Sequence, residues 1–136
     1  SIVVRGGDYV CFCAVMHGTP ETIYGNRART QKFVNAMAEA AAFVRDPKNA
    51  DQVAAIGARF IRGMNASLVK RTLKHVVYDP RLGANTAKAF NFSVKQLIAQ
   101  KKMKKPYDPA KYLEMSFIGK TISEHPEWFG DLPSAK

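Results

Sequence analysis

The chain has 136 residues, 46% of them hydrophobic and 24% charged, a composition that suits one globular unit with a core of its own. Twenty-one Lys and Arg against eleven Asp and Glu give a formal charge of +10, which attracts nucleic acid, anionic membrane surfaces or small anions but does not speak to fold. No apolar run reaches the roughly 18 residues of a membrane span, and no signal-peptide pattern stands at Ser1.

The first pronounced element is Tyr9-Val10-Cys11-Phe12-Cys13-Ala14-Val15-Met16, eight consecutive apolar residues rich in β-branched and aromatic types. With no polar alternation it reads as a strand covered on both faces, bounded by Gly6-Gly7-Asp8 and by His17-Gly18-Thr19-Pro20. Cys11 and Cys13 are expected as buried free thiols, because an extended strand holds them too far apart for an easy bridge. Ser1 to Val4 is a further short strand fragment, and no other partner strand is found. The pattern beyond is helical, so the fold class expected is mostly α with one to three short strands. Residues 1–136 are taken as one unit, a strand over about 9–16 followed by about five helices.

Thr19-Pro20-Glu21 has the chemistry of a helix start, and Gly25-Asn26 cuts that helix short. Arg27 to Arg45 is the clearest helix, with Phe33, Met37, Ala40, Ala41 and Val44 on its expected inner stripe and Asp46-Pro47 as its stop. Asn49 is expected to cap the next, which turns Val53, Ile56, Phe60 and Met64 inward and ends near Gly63. Asn65 then caps a helix with Leu68, Val69, Thr72, Leu73 and Val76 inside and Lys70, Arg71 and Lys74 outside. After the turn-forming Tyr78 to Gly83, a helix over about 85–102 presents Ala87, Phe90, Val94, Leu97 and Ile98. Asp108-Pro109 opens a last helix carrying Tyr112, Met115, Ile118 and Ile122 towards Glu124, before a loose tail with Trp128 and Phe129.

Few residues combine into chemistry. His17, His75 and His125 are scattered, and a Cys-x-Cys inside an apolar strand is a poor half-site for zinc, so no metal is expected. A thiol in such a run is inert, and Gly6-Gly7 is too little for a phosphate loop; no catalytic group, no cofactor and no enzyme activity are expected. The lysine cluster Lys95, Lys101, Lys102, Lys104, Lys105 and Lys111, with Tyr107 and Tyr112 beside it, is the strongest nucleic-acid signal. A basic helical nucleic-acid-binding module using Lys95 to Lys111 is therefore the alternative reading of function, set against the bland one of a solvated helix end.

The order of elements resembles one family. Asp8-Tyr9-Val10-Cys11-Phe12-Cys13-Ala14-Val15, then a short helix, then Arg29-Thr30-Gln31-Lys32-Phe33-Val34-Asn35-Ala36-Met37-Ala38-Glu39-Ala40, is similar to the C-terminal part of substrate-binding proteins of nitrate/sulfonate/taurine ABC importers. Asp46-Pro47-Lys48-Asn49 and Tyr78-Asp79-Pro80-Arg81-Leu82 continue the likeness, which runs from Gly7 to Phe129 and extends to binders of thiamine-precursor pyrimidines. The resemblance implies the C-terminal portion of an α/β, two-lobed type II periplasmic-binding-protein fold. It also implies a small organic or anionic solute and a membrane permease as partners, and a periplasmic or extracellular location. Asp8 and Tyr9, at the expected hinge crossing, are the implied ligand contacts. The chain departs from the family at Lys101-Lys102, where members usually place a glycine at the helix end. Taken alone, such a fragment is expected to form a homodimer through its unpaired strand.

Overall fold

Thr19 opens the first helix of the structure, a computed structural model that describes residues 15–82 and 84–133. Its Oγ1 accepts from Thr22 N at 3.2 Å, and Pro20, whose ring fixes a helical φ, leads α1 (Pro20–Tyr24). The described residues are mostly helical (65%), and no strand occurs among them. Tyr9 to Ala14 of the expected strand lie outside those residues, as do Cys11 and Cys13; Val15 and Met16 have no regular structure.

Five further helices follow: α2 (Arg27–Arg45), α3 (Ala50–Phe60), α4 (Ala66–Leu73), α5 (Ala84–Ala99) and α6 (Ser116–Glu124). Single 3-10 turns occupy Pro47–Asn49, Pro109–Tyr112 and Pro126–Trp128, each led by a proline that cannot continue the preceding ladder. The chain divides into two compact units. One comprises the described residues of 15–26, 81–116 and 133; the other comprises Arg27–Pro80 and Phe117–Leu132.

In the second unit α2 packs on a different face from the one its large side chains suggest. Val34 and Ala38 are buried, whereas Phe33 and Met37 stay 56% and 43% exposed and Ala40 is exposed too. This helix carries two apolar stripes. The one with the small residue Ala38 admits close approach, and it is flanked by Gln31 and Asn35, whose amides meet Thr121 of α6. Polar pairing therefore selects the narrow stripe over the bulky one.

The same holds on α3, where Val53 and Ala54 are buried but Ile56 and Phe60 are 46% and 74% exposed. Gly57 sets the approach of α3 to α4: a Cβ there would stand 2.9 Å from Val69 Cγ1. Asn49 does not cap α3, because the 3-10 turn runs straight into that helix; its Nδ2 instead donates to Phe43 O at 3.0 Å. Asn65 does cap α4, accepting from Leu68 N at 2.9 Å. Val76 lies beyond the end of α4 and is exposed.

In the first unit α5 buries Ala89 and Val94 and ends at Ala99. The helix expected from Asp108 to Glu124 is broken at 113–115. Glu114 explains the break: Oε1 accepts from Ser116 N at 2.8 Å, giving α6 its own start, while Oε2 accepts from Tyr24 Oη at 2.7 Å. Tyr112 and Met115 are accordingly exposed, and Ile118 is buried in the other unit. The tail is ordered by packing: Phe129 is 7% exposed, and the Trp128 ring stacks on His125 at 3.9 Å.

Candidate functional site

Asp8 and Tyr9, the implied ligand contacts, lie outside the described residues. Three polar assemblies remain, and each can be tested for what it offers a ligand. The first joins α2 to α6. Thr121, with no exposed surface, donates its hydroxyl to Asn35 Oδ1 at 2.7 Å and lies 3.0 Å from Phe117 O, while Gln31 Nε2 donates to Thr121 Oγ1 at 2.9 Å. Arg27 lies over the Phe117 ring at 4.6 Å. No buried side-chain nitrogen or oxygen among the described residues lacks a partner. The set is a joint between helices, its buried polar atoms spent on one another.

The second assembly centres on Arg45, in the last turn of α2, whose side chain is 9% exposed. Nε and Nη2 hold Asp131 in a fork at 2.8 and 2.9 Å, Nη1 donates to Tyr78 O at 2.7 Å, and Nη2 also donates to Trp128 O. Four of the five guanidinium donors are thereby engaged. Arg45 walls a cleft of about 570 Å³ that also presents Glu39, Asp46, Glu127 and Asp131 beside Phe43 and Trp128. With four carboxylates around its one cation already engaged, this cleft repels nitrate or a sulfonate. A neighbouring cleft of about 500 Å³ shares Arg45 and Asp131 and is lined by the Val76 to Tyr78 segment.

The third assembly is the end of α5, in the first unit. Lys101 N donates to Ile98 O at 2.9 Å and Lys102 N to Leu97 O at 2.8 Å, the paired bonds of a Schellman cap. That cap needs a left-handed residue at its corner, and Lys101 takes it with φ 58°. It is the one non-glycine residue with positive φ among those described. Lys95, Lys101, Lys102, Lys104, Lys105 and Lys111 are exposed, and none of them is ion-paired among the described residues. Tyr107 and Tyr112 meet edge to face at 5.4 Å. The structure leaves these lysines exposed, while the left-handed Lys101 had no signal beyond the missing glycine.

The histidines do not come together. His17 and His75 are exposed, and His125 is occupied by Trp128 and by Glu127 at 3.3 Å. Among the described residues no three His, Cys, Asp or Glu side chains gather to hold a metal, and no helix is long and apolar enough to cross a membrane. Comparison with protein-family models, with curated proteins and with solved structures finds no match to this chain.

Proposed function

We propose that the chain is the C-terminal part of a solute-binding protein serving an ABC importer, with two α/β lobes that close on a small organic or anionic solute. The observation that carries this reading is the exposure of apolar faces on α2 and α3; the end of α5 is where the chain departs from the family pattern. The resemblance puts a glycine there, this chain has lysine, and Lys101 adopts the left-handed backbone that glycine takes without strain. A residue type out of place in the family pattern thus coincides with a conformation out of place for that residue type.

The uncovered apolar faces support the same reading. Phe33 and Met37 on α2, and Ile56 and Phe60 on α3, are half or more exposed or nearly so, at 56%, 43%, 46% and 74%. Covering them would contribute about 1–2 kcal/mol each. In a two-lobed binding protein the remaining chain supplies that cover. The ligand contacts then fall to Asp8, Tyr9 and the other lobe, consistent with an acid-lined cleft at Arg45 that disfavours anions.

The test is to express the whole reading frame that encodes this chain and titrate it with taurine, nitrate and a thiamine-precursor pyrimidine. Micromolar binding of one of them, weakened by Asp8→Ala or Tyr9→Ala, is expected. A reading frame with no second lobe, or a full-length protein that takes up none of the three, overturns the proposal.

A further inference from the structure

We propose that the unit containing α5 docks on an anionic lipid bilayer through its lysine-rich end. Residues 84–116 contain seven of the thirteen lysines in the chain and none of its eight arginines. All seven lysines are exposed. Lys88 and Lys95, seven positions apart, flank Phe92 on the solvent side of α5, and Phe92 is 53% exposed. Past the helix end stand Lys101, Lys102, Lys104, Lys105 and Lys111, with Tyr107 at 39%, Tyr112 at 74% and Met115 at 43% exposure.

Three observations choose the bilayer over a nucleic acid. Arginine, with its planar fork, is the residue suited to bidentate phosphate and base recognition, and it is absent from residues 84–116, while Arg81 just before them donates to Pro133 O at 2.6 Å. Lysine is a point charge on a flexible stem, suited to the diffuse negative potential of a lipid surface. The Tyr107 and Tyr112 rings are set against each other at 83°, which leaves no parallel slot for a base but keeps both hydroxyl-bearing rings where a headgroup layer accepts them. The inference holds whether or not the protein carries a solute.

Flotation of the 136-residue chain with phosphatidylcholine vesicles containing about one third phosphatidylglycerol tests it. Binding is expected at low salt, is expected to be lost at about 0.5 M salt, and is absent from pure phosphatidylcholine. Changing Lys101, Lys102, Lys104 and Lys105 to Gln should weaken binding about tenfold or more, while changing Lys32, Lys48, Lys74 and Lys120 to Gln, an equal loss of charge in the other unit, should leave it within about twofold. Circular dichroism of both variants checks that each stays helical. No enrichment on anionic vesicles, or equal losses in the two variants, overturns the proposal. Tighter binding of single-stranded oligothymidylate, lost in the first variant, also overturns it and assigns the patch to nucleic acid.

Discussion

Arg45 and the lysines at the end of α5 use their charge in opposite ways. In the unit of Arg27–Pro80 and Phe117–Leu132, Arg45 is nearly buried and donates to a carboxylate and two carbonyls, tying the end of α2 to the turn at Trp128 and to Tyr78. In the other unit the ammonium groups of the lysines around the end of α5 form no ion pair among the described residues, and Lys101 is held at a left-handed φ of 58°. The difference separates charge that holds a fold from charge left available to a partner. It also shows why a formal charge of +10 is uninformative until each cation has been placed.

The contrast breaks if the two kinds of cation respond alike to removal. Arg45→Met should lower stability by about 2–3 kcal/mol, since two carbonyls lose their donor while the half-exposed Asp131 rehydrates. Urea denaturation of the folded chain measures this, and a loss below about 0.5 kcal/mol would make the clamp ornamental. Thr121→Val keeps the shape of the α2–α6 joint but strips its hydroxyl, and about 1–2 kcal/mol should go with it in the same measurement.

Two glycine-related substitutions sharpen the comparison with opposite signs. Gly57→Ala puts a methyl against Val69, and the clash should outweigh the helix propensity gained, for a net loss of about 1 kcal/mol. Lys101→Gly relieves the left-handed corner and should raise the thermal midpoint, by about 1 kcal/mol of stability. A lower midpoint would mean that the lysine side chain stabilises the cap. The smallest effect belongs to the lysines themselves: changing Lys102, Lys104 and Lys105 to Gln should move stability by less than about 0.5 kcal/mol.

Helix positions were largely legible in the sequence, because proline, glycine and capping side chains act locally. Thr19, Asn65 and Asp46-Pro47 punctuate the chain where their chemistry says they should, and α2 runs from Arg27 to Arg45 as its periodicity predicts. Inner faces were not legible in the same way. Hydrophobicity alone favours Phe33 and Met37, whereas the structure buries Val34 and Ala38, since the choice depends on Thr121, some ninety residues away. Glu114 is a similar case: it divides the expected last helix with two hydrogen bonds, one of them to Tyr24, which no local pattern could announce. Of the site, the lysine tract could be read directly, while Asp8 and Tyr9 rest on resemblance and lie outside the described residues.

Calorimetric titration of the isolated 136 residues tests most directly the proposal that they form one part of a two-lobed binder. On that proposal taurine, nitrate and a thiamine-precursor pyrimidine should give no micromolar binding, and sedimentation of the same sample should show self-association. A strictly monomeric chain that binds one of these solutes at micromolar affinity would contradict the account.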